Sequence, residues 1–180
     1  MASEIIVQNL KGPASGSNAN KIIVSSGHDL TAAGHVIQCR HYEVGGSVQD
    51  VNTDAFTVIG SVTFTPKFAD SHILIRLVNH LYIQSWSTND WRVGNVRLRR
   101  GTTFIGGDTT SNYGEGFVLA NDADRYMTYS AREFMDTTHN TTSQITYNIE
   151  GASRNGNVTV RFNHPDYGDQ CRVTIMEIAQ

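Results

Sequence analysis

The sequence predicts an all-β protein: an antiparallel β-sandwich or jelly roll with an extended N-terminal arm. Three observations predict it. From His72 to Gln84, Ile73, Ile75, Leu77, Leu81 and Ile83 share one parity, broken only by Asn79. Period two over such a length is a strand signal. Beyond residue 35, about eight to ten alternating segments are separated by turn formers. No segment carries a convincing helical period, so nothing would supply the crossovers of a parallel sheet.

Residues 1–35 read as the arm, and residues 36–180 as the β-rich head. Ile5-Ile6-Val7 with Leu10, and Ile22-Ile23-Val24, are short apolar runs. The spacer from Gly12 to Asn20 between them is rich in turn formers and holds no core residues. Such clusters cannot bury themselves in isolation. They fit either a loose terminus or an arm that orders by docking on another chain, and the repeated β-branched triplets favour docking.

The head begins with alternation over Val36–Val44, closed by Gly45-Gly46. Ala55–Phe64 is a β-branched and aromatic run, with Gly60 marking a bulge or bend. Pro66 lacks an amide hydrogen and ends that run. The long strand follows. After a polar loop come Val96–Arg99, a hairpin punctuated by Gly101 and Gly106, Phe117–Ala120, Tyr126–Phe134, Gln144–Glu150, Asn157–Phe162 and Cys171–Ile178.

The 180 residues carry 14 Lys and Arg against 17 Asp and Glu, a formal charge of −3. That balance gives no pull toward nucleic acid or anionic membranes. No apolar run is long enough to cross a bilayer, and the N-terminus lacks the features of a signal peptide. Membrane insertion and export by the usual route are therefore not expected. Charged residues make up only 17%, so much of the surface must be uncharged and polar. Cys39 and Cys171 are expected as two free thiols, as befits a protein made in the cytosol.

Three segments resemble a family. Thr65-Pro66-Lys67-Phe68-Ala69-Asp70-Ser71-His72-Ile73-Leu74-Ile75 is similar to a segment of tail-fibre-like and virion structural proteins of tailed bacteriophages. Ser3–Ile22 resembles the N-terminal attachment segment of that family, and Val173–Gln180 its closing strand. The resemblance implies a jelly-roll-like head, a homotrimer, other virion proteins as partners (tail, baseplate or capsid), and a place in the virion after assembly in the host cytoplasm.

The residues support self-association independently. Leu74, Arg76, Val78, His80 and Tyr82 make a second face of the long strand, too apolar for water and too polar for a core. It fits packing against copies of the same chain, or cover by the chain's own loops. Host-surface carbohydrate is a further partner class. Trp86, Trp91 and Tyr113, flanked by polar loop residues, are the glycan-binding candidates, because a sugar ring needs an aromatic plate and fixed polar groups.

Other chemistries find no footing. The seven histidines show no metal-ligand spacing. No nucleophile elbow or phosphate loop is present. Asp108, Glu115, Asp122, Asp124 and Asp136 read as loop acids without the paired geometry of a glycosidase. The expected protein is no enzyme and takes no cofactor or metal. Arg97, Arg99 and Arg100, with Arg92 nearby, read as a solvated strand edge or a contact for an acidic neighbour. Two alternatives stand beside the fibre: a capsid decoration (cement) protein, separable by copy number per particle, and a disfavoured glycan hydrolase.

Overall fold

The structure, a computed structural model, describes residues 15–16, 32–44, 49–85, 92–106, 116–119, 125–153, 158–162 and 171–180. The chain divides into two compact units, 1–32 and 33–180. Of the first, only Ser15, Gly16 and Ala32 are described, so the arm residues Ile5, Ile6, Val7, Leu10, Ile22, Ile23 and Val24 lie outside the described residues. The second unit is all-β and antiparallel, with no helix among the described residues.

Among the described residues, eleven strands form two sheets: β1 (Val36–Val44), β2 (Gln49–Val51), β3 (Thr57–Phe64), β4 (His72–Ser85), β5 (Arg92–Arg100), β6 (Thr103–Gly106), β7 (Gly116–Leu119), β8 (Arg125–Asp136), β9 (Ile145–Ser153), β10 (Val158–Phe162) and β11 (Cys171–Ile178). The first sheet is built on β4. Along one edge of β4, β11 pairs with its first half and β10 with its second. Along the other edge, β8 runs from Ile73↔Asp136 to Gln84↔Arg125. β1 extends the sheet beyond β11, and β2 extends it beyond β10. In the second sheet β9 joins β3 to β5, and β6 and β7 pair with β5.

The core lies where the two inner faces meet. Ile73, Ile75 and Leu77 of β4, Val173 and Ile175 of β11, Val96 and Leu98 of β5, and Ile149 of β9 are fully buried. Each such side chain contributes about 1.5–3 kcal/mol relative to exposure. The expected bulge in β3 is present as a register shift between Val58 and Gly60. Close contact between the sheets depends on glycines, Gly151 and Gly106 among them. A Cβ on Gly151 would stand 2.5 Å from the Phe162 ring, and one on Gly106 would overlap the Phe134 ring. A side chain at either position would hold the sheets apart, which is why a residue without Cβ is placed there.

The turn that launches β4 is held from the far end of the chain. Glu177 points inward at the end of β11 and is fully buried. Its carboxylate accepts from the Lys67 amide at 2.9 Å, the Phe68 amide at 2.9 Å and Gln38 Nε2 at 2.6 Å. Ser71 Oγ lies 2.8 Å from Oε1 and 2.9 Å from the Phe68 carbonyl, its one hydrogen shared between them. His139 Nε2 donates to that same carbonyl at 3.0 Å. Thus Thr65–Ser71 and Val173–Gln180, two of the three segments that carry the family resemblance, are physically one unit.

Candidate functional site

Strand geometry sets which residues of β4 look away from the core. With Ile73, Ile75 and Leu77 inward, period two sends Leu74, Arg76, Val78, His80 and Tyr82 outward. Neighbouring strands add cross-strand partners row by row. Leu74 stands between Met176 of β11 and Met135 of β8, with Cys39 of β1 beyond Met176. Arg76 stands between Thr174 and Glu133, with His41 beyond Thr174. Val78 stands between Arg172 and Ala131, with Glu43 beyond Arg172.

This lower half is an apolar surface with scattered charge. Met135 is 43% exposed, and Leu74, Val78 and Met176 are half-buried. The Arg76–Glu133 pair, at 3.9 Å and largely in water, adds little stability. His41 Nδ1 lies 3.2 Å from Thr174 Oγ1.

The upper half is different. His80 and Tyr82 are each buried to 7% exposure within the chain itself. Tyr129 of β8 stacks on the His80 ring, centroids 4.7 Å apart, and remains 64% exposed. Arg161 of β10 lies over the Tyr82 ring at 5.7 Å. Asp50 of β2 grips Arg161 with a two-point pair of 2.6 and 2.8 Å. Of the five expected interface residues, Leu74, Arg76 and Val78 therefore reach solvent, while His80 and Tyr82 are covered by the chain's own side chains. Trp86, Trp91 and Tyr113 lie outside the described residues.

The arginines do not form a solvated edge. β5 is interior to its sheet, paired with β9 on one side and with β6 and β7 on the other. Arg97 and Arg99 project onto the outer face and share Glu150. Arg97 also packs over Phe56 at 3.8 Å and Phe104 at 4.7 Å. Arg100 turns to Asp136 instead, Nε to Oδ2 at 2.7 Å. The acidic neighbours of this cluster are thus in the same chain.

Asp136 is correspondingly no loop acid. It ends β8, fully buried, and also accepts from the Thr138 amide at 3.0 Å and the Tyr147 hydroxyl at 2.9 Å. Burial alone would raise its pKa, but the bonds from Arg100, Thr138 and Tyr147 and the guanidinium charge hold it below the ordinary carboxylate value. Glu177 follows the same logic: burial opposes ionisation, and the Lys67 and Phe68 amides, Gln38 and Ser71 outweigh it. Burial and the Asp136 charge push the Tyr147 hydroxyl well up. These carboxylates are braces, each committed to donors of the fold.

Neither Cys39 nor Cys171 is in a disulfide. β1 and β11 are neighbours, but Cys39 faces Met176 and Cys171 faces Val44 across the ladder. Burial pushes the Cys171 thiol up to about 12, while Cys39 is exposed. Among the described residues no cluster of three or more potential metal ligands occurs.

Sequence reasoning passed over Glu177, read Asp136 as a loop acid, and passed over Tyr129. The first two carried a readable signal, since each shares the core-facing parity of its strand: Glu177 with Val173 and Ile175, Asp136 with Phe134. Tyr129 carried none, because its role depends on lying opposite His80.

No protein-family model matches the chain, and no curated protein matches it. Among solved structures it is similar to the EclA C-terminal domain, described as a sugar-binding protein, at 13% identity and a TM-score of 0.37, covering 96% of this chain and 99% of that one. It is similar to dimeric latent PorU from Porphyromonas gingivalis at 8% identity and a TM-score of 0.40, covering 89% of this chain and 15% of that one. It is similar to a chain of infectious bursal disease virus, Gt strain, at 14% identity and a TM-score of 0.26, covering 89% and 43%.

Proposed function

We propose that this chain is a fibre-like structural protein of a tailed-phage virion. Its N-terminal segment anchors it to the particle, its β-sandwich head assembles as a homotrimer, and host-surface carbohydrate is its external ligand. One observation carries the assembly: the lower outer face of the first sheet, where Leu74, Val78 and Met176 sit half-buried beside the exposed Met135. An apolar face on a sheet whose opposite side is already a complete core suits a protein partner better than water. The scattered Arg76, Glu133 and Arg172 give such a contact register rather than strength. The resemblance of Thr65–Ile75 and Val173–Gln180 to virion proteins supports the particle, and the Glu177 brace explains why those two segments occur together.

The test is Leu74→Lys. The side chain is half-buried on the outer face, so the charge is expected to leave the fold intact by circular dichroism. It should split the assembly by light scattering and remove the protein from purified particles by immunoblot. Unchanged mass in a folded variant would exclude this face. Absence of the parent protein from particles would exclude the virion role.

A further inference from the structure

We infer that the outer face of the second sheet, along the row Ser61, Asn148, Arg99 and Phe104, binds an acidic oligosaccharide, with Arg99 meeting the sugar's carboxylate. The inference rests on the reading of host-surface carbohydrate as the external ligand, and it places that contact on residues other than the expected tryptophans.

Strand register assembles the row. Ser61 of β3 stands opposite Asn148 of β9, Asn148 opposite Arg99 of β5, and Arg99 opposite Phe104 of β6. Their sequence neighbours Val62, Ile149, Leu98 and Ile105 turn to the core, so period two sends this row outward. Three strand spacings of about 4.8 Å span roughly 14 Å, the length of a short oligosaccharide. Ser61 Oγ donates to Asn148 Oδ1 at 2.8 Å, which fixes the amide and leaves its nitrogen to donate to a ligand. Thr63 and Thr146 stand opposite one another in the next row, both exposed.

Charge points to the ligand. Arg97 and Arg99 share the one carboxylate of Glu150, so the cluster holds a positive charge in excess. Glu150 makes its close contact with Arg97 Nε and lies 3.5 Å from Arg99, so Arg99 is the less compensated of the two. The Arg99 guanidinium is also held in place. It lies over the Phe104 ring at 4.7 Å and donates to the Thr102 carbonyl at 3.2 Å. Its side chain is 24% exposed, so it meets solvent from a partly desolvated seat, where an anion is held more strongly than in open water. Because the cation is already ordered, little side-chain freedom is lost when a ligand arrives.

One excess cation among uncharged hydroxyl and amide groups matches a ligand with one carboxylate among hydroxyls, as in a uronic or sialic acid. A nucleic-acid backbone would need a cation for each of several phosphates. An acidic peptide would leave the hydroxyls of Ser61, Thr63 and Thr146 largely unused. The half-buried Phe104 adds an apolar border for sugar C–H groups. The row lies on the sheet opposite the assembly face and uses none of its residues.

Calorimetry and saturation-transfer NMR on the full-length chain test this. Digalacturonate and sialyllactose are the acidic probes, lactose and maltotriose the neutral ones, and tetraglutamate the acidic peptide. At least one acidic sugar should bind about tenfold or more tightly than either neutral sugar. Arg99→Gln should weaken it about tenfold or more. Asn148→Asp should do the same, because its carboxylate still accepts from Ser61 and neutralises Arg99 across the row. Circular dichroism should match the parent in both, and should Arg99→Gln unfold, Asn148→Asp decides. Parent-like binding of the acidic sugar by Asn148→Asp would overturn the site while the carbohydrate reading stands, and so would preference for a neutral sugar. Tetraglutamate bound as tightly as the acidic sugars would make the face a protein contact and overturn it too. If no sugar binds the parent, the inference falls together with the carbohydrate part of the proposed function, and the assembly is judged by Leu74→Lys alone.

Discussion

Glu177→Ala is expected to destabilise the fold by about 4 kcal/mol or more, a large share of the ~5–15 kcal/mol that holds a domain of this size together. The reason is asymmetric. Removing the carboxylate leaves the Lys67 and Phe68 amides without their acceptor, in a place where the residue that held them is fully enclosed, while Gln38 Nε2 keeps the Thr65 carbonyl at 2.9 Å. Each orphaned donor costs about 1–3 kcal/mol. Ser71 is less affected, since its hydroxyl can turn wholly to the Phe68 carbonyl. Glu177→Gln keeps one acceptor oxygen and should cost about half as much. Denaturant unfolding reads both values.

The same group sets the acid limit. Its folded pKa lies below the ordinary 4.5, so its stabilisation is complete above that value and is lost as pH falls through the folded one. Asp136 behaves alike relative to its ordinary 3.8. The melting temperature should therefore not fall on account of these two carboxylates above about pH 5, and should drop below it. In Glu177→Gln the acid drop should be shallower.

Arg100→Met is the second large effect, with an expected cost of about 3–5 kcal/mol. Asp136 is fully buried, and Arg100 is the cation that offsets its charge, through Nε at 2.7 Å and a terminal nitrogen at 3.3 Å. Without it, the Thr138 amide and the Tyr147 hydroxyl remain, but the charge is uncompensated. Adding Asp136→Asn in the Arg100→Met background should recover part of the loss, because the amide oxygen can still accept from the Thr138 amide, the amide nitrogen can donate to the Tyr147 hydroxyl oxygen, and no charge is left buried. The pH response should also reverse. In Arg100→Met, burial favours the neutral acid, so the variant should gain on the parent as pH falls. A double-mutant cycle followed by thermal melts at two pH values measures both effects.

What the sequence made legible follows from period two. β1 and β11 have the bounds that their alternation indicates, β3 begins two residues later than read, at Thr57, and Gly60 marks the bulge it suggests. β4 ends one residue later than read, at Ser85. Local pattern could not reveal β2, because Gln49-Asp50-Val51 is too short to alternate visibly. It also missed the start of β5, where Gly94 and Asn95 interrupt the apolar parity although both are buried.

Partner identity was illegible for a different reason. Alternation says which face a residue takes, not which strand lies next to it. Arg97 and Arg99 looked like edge charges because nothing local states that β9 brings Glu150 beside them. The outward parity of Leu74, Arg76, Val78, His80 and Tyr82 could be read. That the last two would be closed over could not, since their cover comes from Tyr129, 49 positions from His80, and from Arg161, 79 positions from Tyr82.

Sedimentation equilibrium of the purified full-length chain, over a hundredfold range of concentration, tests the central claim most directly. Self-association through the outer face of the first sheet predicts a species of three 19.9 kDa chains, about 60 kDa, that persists on dilution into the low micromolar range. A single 19.9 kDa species at every concentration would contradict it.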